Sequence, residues 1–96
     1  MARRERENTF ELRCVARLEA EGGAALKLVL VGLRGFMDRT CLLRGRVCFV
    51  EFKRTDGSGV YARQQAHWRR VLEGLGFTVF VVESDAEFDA VMEYLK

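Results

Sequence analysis

The stretch FMDRTCLLRGRVCFVEFK, residues 36–53, decides which fold this sequence predicts. Two strand-forming runs, residues 36–43 and 46–53, flank the dipeptide Arg44-Gly45, which is typical of the two-residue loop of a β-hairpin. Both runs carry apolar residues on both faces, as strands at the centre of a sheet do. The sequence therefore predicts a hairpin that forms the middle of the sheet.

The acidic residues of this hairpin predict a metal site. Asp38 faces Glu51 across the predicted ladder, with the two Cβ atoms about 5 Å apart. Two carboxylates at that distance repel each other by roughly 3 kcal/mol at an effective dielectric constant of about 20, so the pair requires a cation. Lys53 follows Glu51 by two residues and projects from the same face. Such a patch is typical of Mg²⁺-dependent phosphodiester hydrolysis, in which the lysine stabilises developing negative charge.

The remaining sequence predicts an α/β fold in the order α-β-β-β-α-β-α. Outside the hairpin, helices are predicted over residues 3–21 and 60–75, and strands over residues 24–31 and 77–82. A capping box from Ser84 to Glu87 opens a last helix. The apolar faces of the first and last helices are predicted to be Phe10, Cys14, Val15 and Leu18, and Phe88, Val91, Met92 and Leu95. This order predicts one mixed sheet flanked by helices, in a single domain spanning residues 1–96.

The helix predicted over residues 60–75 has one polar residue on its apolar stripe. The stripe contains Tyr61, Trp68, Leu72 and Leu75, and Gln65 lies among them. Gln65 is interpreted either as a hydrogen-bonded glutamine at the edge of the core or as a side chain directed at whatever Asp38 and Glu51 hold.

Composition favours a folded globular domain, because 49% of the residues are hydrophobic and both signs of charge are abundant. The net charge of +2 does not by itself indicate a polyanionic partner. Basic residues do cluster locally, however, as at Arg69-Arg70, which is compatible either with phosphate contacts or with a solvated helix face.

The cysteines and apolar runs predict a reducing compartment. Three cysteines do not form a disulfide framework, and no signal peptide or membrane-spanning run is recognised, so a cytoplasmic protein is expected. Cys41 and Cys48 face each other in the predicted register and are interpreted as small buried hydrophobic residues. The lone His67, in the middle of a predicted helix beside Trp68, does not indicate a Ser-His-Asp or Cys-His site.

Three segments taken together resemble a known nuclease family. They are GFMDR (residues 35–39), FVEFK (residues 49–53) and QAHW (residues 65–68), followed by Gly76. Their order and spacing resemble the PD-(D/E)XK nuclease superfamily and, within it, the stand-alone VRR-NUC domain, the virus-type replication-repair nuclease. The resemblance covers residues 7–82, and each segment is weak on its own because Glu-X-Lys is common on strands.

The resemblance implies a role for each matching residue. Asp38 and Glu51 would bind the metal ion together with the backbone carbonyl of Phe52, Lys53 would be the catalytic lysine, and Gln65 would be the active-site residue of the second helix. Glu11 would be the acid that the family carries on its first helix, as a catalytic residue and metal ligand, with Glu7 as the fallback. The implied DNA contacts are Lys27, Arg34, Arg39 and Arg54.

The function implied is a Mg²⁺-dependent DNA endonuclease from a phage or a bacterium, with Mn²⁺ able to substitute and no small-molecule cofactor. The resemblance further implies a homodimer that acts on branched DNA, as Holliday-junction resolvases do. The family usually has proline immediately before the metal-binding aspartate, whereas Met37 stands there in this sequence. The alternatives are a catalytically inactive module that binds nucleic acid or a partner on the same fold, and a structural α/β protein with an incidental Asp-Glu pair.

Overall fold

The computed structural model describes residues 2–28, 30–32, 36–53 and 59–96, and of residues 2–8 and 59–62 it describes the backbone alone. The helices are α1 (Ala2–Ala20), α2 (Gly59–Gly74) and α3 (Asp85–Leu95), and the strands are β1 (Ala24–Leu26), β2 (Arg39–Leu43), β3 (Arg46–Phe52) and β4 (Val79–Val82). The predicted order α-β-β-β-α-β-α is therefore confirmed. Within these ranges no helix is long and apolar enough to cross a membrane.

The four strands form one mixed sheet in the spatial order β1-β2-β3-β4. The β1–β2 and β2–β3 pairs are antiparallel, whereas β4 pairs with β3 in the parallel direction. Helix α2 supplies the crossover that a parallel pair requires. The hairpin strands β2 and β3 thus lie in the middle of the sheet, as predicted.

The hairpin turn follows from the two residues at its tip. Arg44 has φ +51° and Gly45 has φ +80°, and a type I′ turn requires positive φ at both positions. This turn sets the predicted register, in which Leu43 pairs with Arg46 and Cys41 with Cys48. The three cysteines are free and buried, in agreement with their interpretation as apolar residues. Burial also raises the pKa of the Cys14 thiol to about 11.

Helices α1 and α3 cover one face of the sheet. The apolar cluster on this face consists of Cys14, Leu18, Cys41, Leu43, Cys48, Val50, Phe52, Val82, Phe88, Val91, Met92 and Leu95. All four residues predicted for the buried face of α3 belong to it. Ion pairs between Arg13 and Asp85 and between Arg17 and Asp89 join the two helices at the surface.

Helix α2 covers the opposite face with a smaller core. Met37, Phe49 and Leu72 are buried there, with Phe36, Trp68 and Val79 packed against them. The rings of Phe36 and Trp68 meet edge to face with centroids 5.8 Å apart. Because side chains alternate along β3, Glu51 and Lys53 lie on the same face as Phe49, beneath α2.

Glycine residues end the first two helices in the same way. After α1, Gly22 has φ +93° and the N–H of Gly23 donates to the carbonyl of Leu18. After α2, Gly76 has φ +96° and the N–H of Phe77 donates to the carbonyl of Leu72. Both are Schellman motifs, in which the glycine adopts the left-handed conformation that ends the helix.

The predicted capping box at α3 is present with one change of partner. The Ser84 side chain caps the helix by accepting from the N–H of Glu87 at 3.2 Å. The Glu87 carboxylate accepts from the N–H of Glu83 at 2.6 Å rather than from that of Ser84. The last helix therefore begins where the sequence predicts.

The strands are shorter than predicted, and each difference has a local cause. The pairing of β1 with β2 ends at Leu26 and Thr40, and the apolar Leu28 and Leu30 that follow pair with no strand of the described part of the chain. Strand β2 begins at Arg39 instead of residue 36, and β4 begins at Val79 because Phe77 closes the end of α2.

Leu75, predicted on the apolar stripe of α2, is 70% exposed, because the helix ends before it.

Candidate active site

Asp38 lies at the point where the β2–β3 ladder ends. The last backbone pair is Arg39 with Val50, one pair short of the predicted opposition of Asp38 and Glu51. Beyond it, the N–H of Phe52 donates to Oδ2 of Asp38 at 2.7 Å. Oδ2 of Asp38 thus accepts the hydrogen bond that a backbone carbonyl of β2 would accept if the β2–β3 ladder continued. Asp38 therefore stands beside β3 in an orientation that the backbone of Phe52 holds.

Gln65 brings α2 to the same carboxylate. Its Nε2 lies 3.4 Å from Oδ1 of Asp38 and 3.4 Å from the carbonyl oxygen of Phe36. Both distances are at the long end for hydrogen bonds, so the amide contacts Asp38 loosely. Packing of Trp68 and Leu72, one and two turns later, explains why Gln65 faces the sheet.

Glu51 is half-buried and close to Asp38. Burial raises the pKa of Glu51, and the Asp38 carboxylate raises this pKa further, while the charges of Arg69 and Lys53 lower it. The charges of Asp38, Arg69 and Lys53 therefore all act on Glu51. Lys53 itself is exposed, and its backbone N–H donates to the carbonyl of Val82 at 2.9 Å, which fixes the strand from which its side chain projects.

Oxygen ligands for a hard cation are present at this end of the sheet. Asp38 and Glu51 supply carboxylates, and the carbonyl of Phe52 lies on the edge of β3 that its N–H presents to Asp38. Carboxylate and carbonyl oxygens are the donors that Mg²⁺ accepts, usually from one or two carboxylates with water completing the shell. This donor set fits Mg²⁺. Among the side chains that the structure describes, however, no three or more His, Cys, Asp or Glu residues come close enough together to hold a metal ion.

Glu11 has a different environment from the other predicted site residues. It is 4% exposed, and its Oε2 accepts from Nε of Arg39 at 2.6 Å. The guanidinium of Arg39 also donates to the carbonyl of Ala25 at 3.0 Å. Alternation along β2 places Arg39 on the face that α1 covers, opposite to the face of Glu51. Glu11 and Arg39 thus form a buried ion pair that joins α1, β1 and β2.

The other residues predicted to contact DNA are only partly within the described structure. Lys27 is exposed, immediately after β1. Arg34 and Arg54 lie outside the described residues, and so does the side chain of Glu7, the alternative to Glu11.

Arg69 is a residue of this site that the motif analysis did not assign. It follows Gln65 by four residues and is partly buried on the same side of α2. Its charge acts on Glu51, as the effect on the pKa of that carboxyl indicates. In the sequence, Arg69 belongs to the basic pair Arg69-Arg70 and to none of the motifs. The feature that could have assigned it to the site is its position four residues after Gln65, on the same face of the helix.

Comparisons with known proteins give one match over the whole chain and one local match. No family model matches the chain. A curated extracellular monomeric globin from Tubifex tubifex is 44% identical over 46 residues, which is 47% of this chain, and the chain spans about a third of the globin's length. Globins are built from eight helices, whereas this chain contains a four-stranded sheet, so that similarity is local to the sequence.

The solved structure of a VRR-NUC domain is similar over nearly its full length. The two structures superpose with a TM-score of 0.78, covering 94% of this chain and 97% of the other, at 30% sequence identity. Both the element order and the sheet are those of the PD-(D/E)XK-like nuclease fold. This chain therefore belongs to the VRR-NUC domain family and has a nuclease-domain fold.

Proposed function

We propose that this chain, acting as one domain over residues 1–96, is a metal-dependent DNA endonuclease that hydrolyses phosphodiester bonds. The observation that carries the proposal is the convergence of Asp38, Glu51 and Gln65 at one end of the sheet, in a chain with a nuclease-domain fold. Mg²⁺ is the proposed cofactor, with Mn²⁺ as a substitute, because the donor atoms are carboxylate and carbonyl oxygens.

The proposed role of Asp38 and Gln65 is to hold a fixed set of oxygen donors. The N–H of Phe52 engages one oxygen of Asp38, and the amide of Gln65 approaches the other. A carboxylate held from two sides loses little freedom when it binds a ligand, which favours a defined geometry over a flexible one. The carbonyl of Phe52, on the same strand edge, is proposed as a further ligand.

Glu51 is proposed as the second carboxylate that binds the metal ion, and Lys53 is proposed to act on the substrate. Partial burial of Glu51 strengthens the attraction of its charge for a metal ion, whereas Lys53 is exposed and can reach a phosphodiester placed at the site. Lys53 would stabilise the negative charge that develops on the phosphate oxygens or orient the attacking water. When bound, Mg²⁺ supplies positive charge that polarises the phosphodiester and eases deprotonation of that water.

Glu11 is included in the proposal as the helix-borne acid on the strength of the family resemblance, not of its contacts. Its carboxylate is paired with Arg39. A variant Glu11→Gln belongs in the cleavage assay beside the other site variants, because loss of cleavage with retained folding would assign Glu11 to the chemistry.

The proposed substrate is DNA. The more specific proposal is that a homodimer cuts branched DNA. Lys27, Arg34 and Arg54 are the proposed backbone contacts, and Arg39 is included on the strength of the family resemblance and not of its contacts, because its guanidinium is bonded to Glu11 and to the carbonyl of Ala25. Sedimentation of the protein at micromolar concentration tests the dimer, and a monomer there would contradict the junction-resolving version while leaving hydrolysis itself open to test.

The deciding experiment is cleavage of labelled four-way junction, flap and linear duplex DNA in Mg²⁺ or Mn²⁺. We expect Asp38→Asn and Lys53→Ala to lose about a hundredfold or more of the activity, since the first removes a proposed metal ligand and the second removes the charge that acts on the reacting phosphate. Asp89→Asn and Lys96→Ala make the same chemical changes on the exposed part of α3 and at its end, and should cut like the wild type. Cleavage that survives in Asp38→Asn would contradict the proposal.

A catalytically inactive module that binds nucleic acid or a partner is the second candidate. The specific observation in its favour is that the Glu11 carboxylate is paired with Arg39, on the face of β2 opposite to the face of Glu51. This candidate predicts no cleavage of any substrate by well-folded protein and no stabilisation by Mg²⁺ or Mn²⁺.

A further inference from the structure

One arginine of α2 is partly buried and forms no ion pair with any described residue. Among the arginines whose side chains the structure describes, Arg17, Arg39 and Arg69 are partly buried. Arg17 pairs with Asp89 and Arg39 with Glu11, whereas within the same described set Arg69 has no carboxylate within 4.0 Å. Removing a guanidinium from water without a hydrogen-bonded partner is costly, so such a group calls for an explanation.

Arg69 lies on α2 next to residues of the candidate active site. It lies one turn after Gln65, which contacts Asp38, and three residues before Leu72, which packs against Phe49 on the sheet. Residues three and four apart on a helix share a face, so Arg69 lies on the side of α2 that covers the sheet. The exposed neighbour Arg70 lies off this face.

The charge of Arg69 acts on Glu51. Its positive charge lowers the pKa of Glu51, against the opposing effects of burial and of Asp38. Yet Arg69 and Glu51 do not form an ion pair in the described structure. The i, i+4 spacing from Gln65 places the guanidinium on the side of α2 that faces Asp38, and no carboxylate of the described structure forms an ion pair with it.

We propose that Arg69 binds a phosphate oxygen of a DNA strand lying across the Asp38–Glu51 patch. The inference rests on the proposed DNA substrate and adds a residue that contacts it. A guanidinium presents a planar fork of N–H donors that matches two phosphate oxygens, and its charge offsets repulsion between the phosphate and the two carboxylates. Gln65 and Arg69, on adjacent turns of α2, would then hold Asp38 and the phosphate from the same helix.

The alternative explanation is structural, with Arg69 serving only to offset the charge of Glu51. The two explanations differ in what happens to DNA binding, because only a phosphate contact releases counterions from the DNA. The salt dependence of binding therefore separates them, and it does not require that the DNA be cut.

The test measures binding of fluorescent duplex DNA by anisotropy at several KCl concentrations. Ca²⁺, a hard cation that takes oxygen ligands, replaces Mg²⁺, and a gel verifies that the DNA stays intact. The variants are Arg69→Gln, Arg69→Lys and the matched control Arg70→Gln, and circular dichroism and thermal unfolding verify that each one folds.

We expect Arg69→Gln to bind about tenfold more weakly, as for loss of one charge-assisted hydrogen bond. Its plot of log affinity against log salt should be shallower by about 0.9, the value for one phosphate contact. Arg69→Lys should keep the wild-type slope with part of the affinity, because it keeps the charge and loses the fork. Arg70→Gln should resemble the wild type.

Each other outcome has a defined meaning. An unchanged slope in Arg69→Gln, or equal losses in Arg69→Gln and Arg70→Gln, overturns the inference even if the wild type cuts DNA. A wild type that cuts nothing, with the slope still reduced only in Arg69→Gln, overturns the proposed hydrolysis and supports the phosphate contact. A wild type with no affinity for DNA overturns both.

Discussion

At the scale of single residues, Glu51 carries a charge that the fold disfavours. Burial and the Asp38 carboxylate raise its pKa above the ordinary value of 4.5, so the metal-free folded protein binds this proton more tightly than the unfolded chain does. That stabilising contribution is complete below the unfolded pKa and is lost as the pH rises through the folded pKa. At neutral pH the ionised side chain therefore destabilises the metal-free protein.

We predict that Glu51→Gln raises the free energy of unfolding of the metal-free protein at pH 7, and that the gain disappears near pH 4. Urea unfolding in EDTA at the two pH values measures the difference. The control Glu93→Gln removes an exposed carboxylate on α3 and should show little dependence on pH. An equal gain at both pH values would attribute the effect to packing and not to charge.

The ion pair of Glu11 and Arg39 gives a second prediction at the residue scale. Both side chains are largely buried, at 5% and 13% exposed, so removing one partner leaves the other charge inside the protein. Glu11→Met should cost about 3–5 kcal/mol of stability, whereas Glu11→Met with Arg39→Met should cost clearly less than the sum of the single changes. Chemical denaturation of the four proteins measures the coupling.

The surface pair of Arg17 and Asp89 is the matched comparison for that cycle. Asp89 is 66% exposed, and exposed ion pairs contribute roughly 0–1 kcal/mol. A coupling between Glu11 and Arg39 no larger than the coupling between Arg17 and Asp89 would contradict the buried-pair interpretation.

At the scale of secondary-structure elements, the link between α1 and β1 depends on close approach at Gly23. A Cβ at this position would lie 2.6 Å from the carbonyl oxygen of Leu42 in β2 and 2.7 Å from Cδ1 of Leu18. The leucine side chain can move, but the strand backbone resists displacement. The end of α1 can therefore pack against the sheet only because residue 23 has no side chain.

Gly23→Ala should destabilise the protein by about 1–3 kcal/mol, the usual cost of overpacking. Gly74→Ala, at the last residue of α2, is the opposite case, since a Cβ there meets no atom within 4 Å. It should stabilise by about 0.5–1 kcal/mol, because alanine favours the helix. Thermal unfolding of both variants measures the contrast, and a neutral Gly23→Ala would show that β2 can shift to make room.

At the scale of the whole molecule, metal binding should be coupled to folding. An ion that binds the folded chain and not the unfolded one stabilises the protein by RT ln(1 + [L]/Kd), about 2.7 kcal/mol when its concentration is a hundred times Kd. We predict that Mg²⁺ and Mn²⁺ raise the unfolding temperature of the wild type and that Asp38→Asn abolishes this rise. Asp89→Asn should respond like the wild type. A wild type indifferent to both ions would favour the inactive binding module.

The parts of this molecule that depend on local spacing were predictable from the sequence. Arg44 and Gly45 form the two-residue turn of the hairpin, with positive φ at both positions. A turn of this length fixes which residues of the two strands pair, including Cys41 with Cys48. Ser84 marked the start of α3 because its side chain can cap a helix. The apolar residues spaced three and four apart after it marked the buried face of that helix. The sequence motifs also placed Gln65 close to Asp38, and Nε2 of Gln65 lies 3.4 Å from Oδ1 of Asp38, whereas the roles of these residues stay predictions.

Only the tertiary structure decided how those elements meet. Strand β1 ends at Leu26, where its pairing with β2 ends, although the sequence remains apolar beyond this residue. Glu11 and Arg39 pair across 28 positions because α1 packs on the face of β2 from which Arg39 projects. Arg69 acts on Glu51 because α2 covers the other face. Residue spacing determines which side chains share a face, whereas the packing of helices on the sheet determines which faces come into contact.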